Sequence, residues 1–181
     1  LAGMGVSYCA TCDGAFFRDK TVAVVGGGDV AAEDAVFLSR ICAKVYLIHR
    51  RDALRAAKSL QDALFQCSNV EVIWDSVVEE ICGQEKVEAV KLRHVKTEDS
   101  DSKAVDGVFI AVGLVPNSEL LQNVTMCDER GYIVAGEDCV TKTAGIFAAG
   151  DVRTKPLRQI VTAVADGANA VAGVERYLMQ M

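Results

Sequence analysis

The amino-acid sequence predicts an α/β fold, a parallel sheet flanked by helices with a small antiparallel excursion. Three observations support this prediction. Residues 21–25 form a short β-branched apolar run of the kind found in buried parallel strands. A glycine-rich turn and a helix-like stretch up to residue 40 follow it directly, and a second apolar run comes at 44–48. Strands that alternate with helices in this way are typical of parallel sheets.

The composition limits the possible classes of function. The chain has 181 residues, of which 51% are hydrophobic and 24% charged, and its net charge is -6. These values suit one or two folded domains. Basic residues do not cluster except around Arg50 and Arg51, which argues against nucleic acid as a partner. No apolar run approaches the roughly 18 residues of a membrane span, so no membrane association is expected.

The first motif is the pair Cys9 and Cys12, within Cys-Ala-Thr-Cys-Asp-Gly at 9–14. Two cysteines at this spacing can close a disulfide or, when reduced, attack another one. Half of a zinc site and a pair of buried core thiols are the alternatives. The remaining cysteines, at 42, 67, 82, 127 and 139, form no second close pair. We therefore predict that Cys9–Cys12 is the only disulfide, that no metal is bound, and that the compartment is reducing.

A short helical turn is expected to follow Cys9, and residues 26–31 then form a second motif. It reads G-x-G-x-x-A between a predicted strand and a predicted helix over 31–40. In this position glycines allow a dinucleotide pyrophosphate to approach the helix N-terminus. A tight turn without a ligand is the alternative. The predicted binding residues are Gly26, Gly27, Gly28, Asp29, Val30 and Ala31.

Basic residues stand where an NAD-binding domain usually has an acidic one. The strand 44–48 ends in His49, Arg50 and Arg51, and Arg55 follows four residues later. Guanidinium groups can grip a ribose 2′-phosphate, which a carboxylate would repel. A solvated surface turn is the alternative. The sequence therefore predicts a Rossmann-like domain that prefers NADPH.

The other elements of this domain follow from shorter patterns. We expect a helix over 54–67, a strand over 70–74, and strand-like runs within 77–95 that are broken at 83–85. Residues 97–103 are polar and predict an exposed hairpin tip, and 105–112 predicts another strand. Glycine and proline within 113–117 mark a boundary, which gives domains 1–112 and 113–181.

The second domain has weaker signals. Short strands are expected at 131–134 and 145–151, the latter ending in Asp151. Apolar residues at helical spacing predict a helix over 158–178. Gly167 and Gly173 lie within it, and close packing is the expected reason.

In this order the motifs resemble those of the low-molecular-weight thioredoxin reductases over essentially the whole chain. The matching stretches are 9–14, the dinucleotide loop, His49-Arg50-Arg51 with Arg55, and 145–151 with Arg158-Gln159. Val30 departs from the pattern, because the family often has serine there. Compared with members of this family, the chain resembles the NADPH domain plus the C-terminal part of the FAD domain, without the N-terminal FAD-binding segment.

The resemblance implies a flavoprotein with two dinucleotide-binding domains, in which electrons pass from NADPH through FAD to Cys9–Cys12 and then to thioredoxin. Asp13 resembles the family's acid–base residue, with a helix cap or a solvated carboxylate as the alternative. Asp151 resembles the residue at the flavin's ribityl chain, and Arg158, Gln159 and Ile160 resemble the segment beside the flavin ring. A homodimer in the cytoplasm is also implied for the full-length protein.

Two other functions are compatible with the sequence. The flavoprotein subunit of alkyl hydroperoxide reductase is similar, but it usually has proline and histidine where this chain has Ala10 and Thr11. The second alternative is not an enzyme but a nucleotide-binding module without catalytic activity. Because the N-terminal part of the FAD domain would normally cover them, we expect the helix over 158–178 and the strand that ends at Asp151 to present an exposed apolar surface in this chain.

Overall fold

The structure is a computed structural model that describes residues 1–181. The chain divides into two units, Leu1–Gly113 and Leu114–Met181. All eight strands lie in the first unit, and they are β1 Val6–Ser7, β2 Thr21–Gly26, β3 Lys44–Ile48, β4 Val70–Ile73, β5 Ser76–Cys82, β6 Ala89–His94, β7 Ser100–Ala104 and β8 Gly107–Ala111. None of the helices is long and apolar enough to cross a membrane.

Five strands form a parallel sheet in the order β1-β8-β2-β3-β4. The buried strands β2, β3 and β8 consist largely of β-branched and other apolar residues, which suits a sheet covered on both faces. Because all five strands run the same way, their carboxyl ends meet at one edge. That edge positions every predicted site residue of this unit.

Different elements cover the two faces of the sheet. Helices α2 Asp29–Ser39 and α3 Lys58–Phe65 contact each other, and α2 packs on β2 and β3. The small residues Ala31, Ala32 and Ala35 are fully buried and let α2 approach the sheet closely. On the other face, the antiparallel sheet β5-β6-β7 shares a second core with β2 and β8 through Val90, Leu92 and neighbouring apolar residues. The predicted α/β architecture with an antiparallel excursion is therefore present.

Two predictions for the first unit differ from the structure. The helix expected over 54–67 begins only at Lys58. Before it, the backbone N–H groups of Arg55 and Ala57 donate to the carbonyl of Gly27 and the carboxylate of Asp29, and Ala57 has an extended ψ of 145°, so the helix cannot include this segment. The hairpin tip expected over 97–103 is shorter, because 100–104 forms the polar strand β7 against β6.

The second unit is mostly irregular, with short 3₁₀ turns at Glu119–Leu121 and Gly150–Val152 and the long helix α4 Ile160–Leu178. The strands expected at 131–134 and 145–151 are absent, and single bridges such as Val140–Phe147 take their place. Gly145 and Gly150 have positive φ values of 79° and 81°, which interrupt an extended run.

Helix α4 confirms part of what its sequence predicts. A side chain at Gly173 would place its Cβ 2.8 Å from the ring of Phe147, so close packing explains that glycine. The same explanation is wrong for Gly167, which has nothing within 4 Å of that position. Large apolar side chains along the helix are exposed, as expected, and they include Ile160, Val161, Val164, Val171 and Leu178.

Candidate functional site

Three of the predicted motifs follow strands of the same parallel sheet and lie at its carboxyl edge. The cysteine motif follows β1, the glycine loop follows β2, and His49 follows β3. Ligands of open parallel sheets bind at this edge. The structure therefore places the cysteine pair and the glycine loop on the same side of one unit.

Cys9 and Cys12 form a disulfide, with their Cα atoms 5.3 Å apart. Cys9 caps the short helix α1 Ala10–Asp13, and the amide of Cys12 donates to its Sγ over 3.2 Å. Cys12 is exposed and Cys9 is half-buried, so the bond can be reached from solvent. The other five cysteines are free, which agrees with the predicted single disulfide.

Asp13 is fixed by a residue that the sequence interpretation missed. The hydroxyl of Ser7 donates to Oδ2 of Asp13 over 2.6 Å and accepts from the amide of Cys9 over 3.1 Å. Ser7 is buried at the end of β1. One signal was present in the sequence, since a serine two residues before the first cysteine can bond to nearby backbone.

The glycines of the loop are required by close contacts. A Cβ at Gly27 would lie 2.2 Å from the imidazole of His49, and one at Gly26 would lie 2.4 Å from the carbonyl oxygen of Ala111. A Cβ at Gly28 would meet no atom within 4 Å. Gly28 is also the N-cap of α2, so the backbone there is open to a ligand at the helix N-terminus.

The remaining loop residues have different environments. Asp29 directs Oδ1 to the amide of Ala57 over 2.8 Å, and it thereby holds the segment that follows Arg55. Val30 is exposed. Ala31 is fully buried, and its Cβ lies 2.7 Å from where a Cβ on Gly26 would be. A larger side chain at Gly26 or at Ala31 would push helix α2 away from strand β2.

The imidazole of His49 packs against the glycine loop at Gly27. It is buried, one ring nitrogen (Nε2) lies 3.2 Å from the carbonyl oxygen of Ala53, and the ring meets Trp74 edge-on. Burial lowers the pKa of His49, and the nearby charges of Arg55, Arg51 and Arg50 lower it further. His49 is therefore a neutral structural support for the loop at neutral pH.

A cavity of about 340 Å³ opens beside the loop. Arg50 and Arg55 line it together with Gly26, Gly27 and His49. Neither arginine forms an ion pair with a carboxylate of the chain. Arg51 is exposed and is not part of the cavity lining. Two unpaired guanidinium groups at the mouth of a glycine loop are suited to bind phosphate.

The predicted site residues of the second unit also lie near one another. Asp151 is exposed in the turn Gly150–Val152, and its carbonyl accepts a hydrogen bond of 3.4 Å from Arg158. The guanidinium of Arg158 stacks 4.0 Å from the ring centre of Tyr132. Gln159 caps α4 in a capping box with Thr162. A cavity of about 340 Å³ is lined by Asp151, Arg158, Tyr132, Val152 and residues 114–117. Ile160, the first residue of α4, is 84% exposed.

A buried ionic cluster that the sequence did not reveal supports this region. Asp166 on α4 accepts hydrogen bonds of 2.6 and 2.8 Å from Arg153 and of 2.7 Å from Lys155. Its Oδ2 also accepts from the amide of Gly150 over 2.8 Å. These bonds, those from Arg153 first, hold the pKa of Asp166 well below its usual range. The carboxylate thus ties α4 to the turn that contains Asp151.

Comparison with known proteins agrees with this arrangement. The family model described as pyridine nucleotide-disulphide oxidoreductase matches residues 1–167. The chain is 50% identical to a thioredoxin reductase of Listeria innocua and 46% identical to one of Bacillus subtilis. In both cases 100% of this chain is covered, but only 57% and 58% of the relative.

A solved structure of thioredoxin reductase from Streptococcus pyogenes is also similar. It matches with a TM-score of 0.92 and 50% identity, over 98% of this chain and 58% of that chain. Thioredoxin reductase from Lactococcus lactis matches with a TM-score of 0.70 and 44% identity, over 99% of this chain and 60% of that one. These matches confirm the predicted fold class and the resemblance. The chain belongs to the pyridine nucleotide-disulphide oxidoreductase family.

Proposed function

We propose that this chain is part of an NADPH-dependent flavoprotein that reduces the disulfide of thioredoxin through Cys9 and Cys12. The observation on which this rests is the Cys9–Cys12 disulfide at the same sheet edge as the glycine loop and its arginine-lined cavity. The relatives are named thioredoxin reductases, which favours this function over the two alternatives. The chain spans under three fifths of their length, so the activity is proposed for the whole protein.

The first unit fits NADPH. Gly27 and Gly28 leave the backbone open at the N-terminus of α2, where a pyrophosphate is stabilised by free N–H groups. Arg50 and Arg55 supply positive charge for the 2′-phosphate, and Arg51 adds to the local field from just outside the cavity. His49 keeps the loop in place from below without adding charge.

The second unit supplies residues that fit part of a flavin site. Asp151 presents a carboxylate that can accept hydrogen bonds from a polyol chain, and Arg158 lies beside it in a fixed position. Gln159 and Ile160 begin α4, whose positive end favours nearby negative charge. When bound, NADPH supplies a hydride and FAD passes its two electrons on to a disulfide.

The chain's own residues account for the last step. With the pair reduced, one thiolate attacks the disulfide of thioredoxin, forms a mixed disulfide and releases a thioredoxin thiolate. The second cysteine attacks the mixed disulfide, which restores Cys9–Cys12 and releases the other thioredoxin thiolate. Two electrons pass to thioredoxin, and the two protons of the cysteine pair end on the two thioredoxin thiolates. We assign Asp13, next to Cys12, as the group that accepts and returns protons during this exchange.

The partner and setting follow from the same proposal. Thioredoxin is the disulfide substrate, and the full-length protein is a homodimer. A reducing compartment such as the cytoplasm suits a chain with five free cysteines besides its redox pair.

The test is NADPH oxidation with thioredoxin and FAD present, using a protein of the relatives' length that contains this chain. We expect Cys9→Ser and Cys12→Ser each to abolish thioredoxin reduction. Cys67→Ser is the matched control, since Cys67 is free and lies outside the site, and it should retain activity. Thioredoxin reduction by either variant of the pair would overturn the proposal.

A further inference from the structure

We propose that Ser7 is a positioning residue that orients the Asp13 carboxylate for proton transfer at the cysteine pair, an inference that rests on the acid–base role proposed for Asp13. The Ser7 hydroxyl bonds to the Asp13 carboxylate and to the amide of Cys9. It acts by holding Asp13 and the backbone of Cys9 in one hydrogen-bonded arrangement.

The arrangement is anchored in the sheet. Ser7 is the last residue of β1 and pairs with Phe109 of β8, and it is only 4% exposed. Its Oγ accepts from the amide of Cys9 over 3.1 Å and donates its single proton to Asp13 Oδ2 over 2.6 Å. The carbonyl of Cys9 is a second possible acceptor, but it lies at 3.3 Å. The shorter contact to a charged acceptor is the stronger one.

This contact has a directional consequence for the carboxylate. Oδ2 of Asp13 accepts the proton of Ser7, whereas Oδ1 takes no part in that hydrogen bond. Asp13 is half-buried and follows Cys12 directly. The Ser7 hydroxyl therefore fixes the plane of the carboxylate and leaves a single oxygen available to exchange a proton with a thiol. A rotating carboxylate would present that oxygen only part of the time.

A purely structural role for Ser7 makes a different prediction. If Ser7 only held the backbone of Cys9, its removal would slow exchange equally with or without Asp13. If Ser7 acts through Asp13, its removal has no further effect once Asp13 is gone. A double-mutant cycle separates the two cases.

The experiment uses the reduced 181-residue chain and an excess of dithiobis(nitrobenzoate) as the disulfide probe. At the pair, each molecule of probe consumed takes two electrons from the dithiol and releases two aromatic thiolates, while Cys9–Cys12 closes. Each of the five other thiols releases one aromatic thiolate and keeps the other half of the probe as a mixed disulfide, so closure of Cys9–Cys12 is followed by mass spectrometry of quenched samples. No flavin or nucleotide is needed. The rate is measured across pH for the wild type, for Ser7→Ala, for Asp13→Ala and for the double variant.

At neutral pH we expect Asp13→Ala to slow exchange about 100-fold, the lower end for a positioned general base, and Ser7→Ala about 10-fold. The double variant should be no slower than Asp13→Ala. At high pH the thiols ionise without help, so the differences should disappear. Ser7→Thr, which keeps the hydroxyl, should restore most of the rate, and Ser39→Ala is a matched control at the far end of α2.

The outcomes distinguish the two proposals. If Asp13→Ala exchanges as fast as the wild type or faster, the acid–base role of Asp13 is wrong, and the role of Ser7 falls with it. If Asp13→Ala is slow but Ser7→Ala slows the Asp13→Ala chain as much as it slows the wild type, only the Ser7 proposal is overturned. Thermal unfolding followed by circular dichroism identifies a variant that has merely failed to fold.

Discussion

Removing the guanidinium of Arg50 or Arg55 should weaken binding of NADPH and leave binding of NADH unchanged. Both side chains line the cavity beside the glycine loop. The two nucleotides differ only in the 2′-phosphate, so an interaction with that group is measured by the difference between them. We choose Arg50→Ala and Arg55→Ala because alanine removes the charge and adds no new contact.

The structure sets the size of the effect. Neither arginine is paired with a carboxylate, so no internal ion pair has to be broken before phosphate binds. A hydrogen bond to a charged group contributes about 1.5–3 kcal/mol. This corresponds to a loss of about 10- to 150-fold in NADPH affinity for each residue. All three arginines are exposed, but Arg51 alone lies outside the cavity lining, so its loss should cost less than about 1 kcal/mol.

Calorimetric titration of the 181-residue chain with each nucleotide is the assay. Arg40→Ala is the matched control, because it removes the same charge at the opposite end of α2, about 16 Å away along an 11-residue helix. It should change neither affinity. Raising the salt concentration should reduce the preference for NADPH, since screening weakens exposed charges most.

An equal loss of NADH affinity would refute the reasoning, because the arginines would then support the loop rather than the 2′-phosphate. The same conclusion would follow if neither variant changed NADPH affinity. A loss confined to Arg51→Ala would show that the phosphate lies outside the cavity.

Three further predictions concern other parts of the chain. Asp29→Ala should weaken NADPH binding several-fold in the same titration, because the amide of Ala57 loses its acceptor, and Asp29→Asn should retain most of the affinity through its carbonyl oxygen. Asp166→Asn should lower the free energy of unfolding by about 3–5 kcal/mol in urea titrations, since it removes the buried counter-charge of Arg153 and Lys155 and leaves Arg153 only the exposed Glu137. The pKa of Asp166 is lowered in the fold, so the wild type's advantage should be full above the ordinary carboxyl pKa of about 4 and should shrink as pH falls below it. Mass spectrometry after alkylation of the denatured chain without reductant should find five modified cysteines and an intact Cys9–Cys12 bond, and a bridge to any other cysteine would contradict the redox assignment.

The sequence predicted the parallel sheet well, for a physical reason. A parallel strand covered on both faces must be a continuous apolar run, and a chain that turns at its end often needs glycine. The predicted strand 44–48 matches β3. The predicted strand 21–25 is one residue shorter than β2, which ends at Gly26. The glycine loop could also be predicted from the sequence. Close contacts leave no room for a side chain at Gly26 or Gly27, so the fold requires glycine at these positions.

Contacts between distant residues account for what was missed. Nothing in the local pattern of 54–67 shows that the amides of Arg55 and Ala57 bind the glycine loop, so the helix was predicted too long. The prediction of a strand at 145–151 was wrong for a similar reason, because the amide of Gly150 donates to Asp166, a distant residue on α4. Periodicity reports the environment along one element and is silent about side chains that arrive from another.

The order of the strands has a consequence for how the chain matures on the ribosome. Strand β1, which precedes the cysteine pair, pairs only with β8, and β8 lies about 100 residues later in the sequence. At about 5–20 residues per second, synthesis of that interval takes about 5–20 s. Throughout this time the motif that holds Cys9 and Cys12 has no sheet to dock on. Cys9 and Cys12 are thus synthesised well before the strand that anchors their motif, and a nascent chain made under oxidative stress should be vulnerable to mispairing of these thiols in this interval.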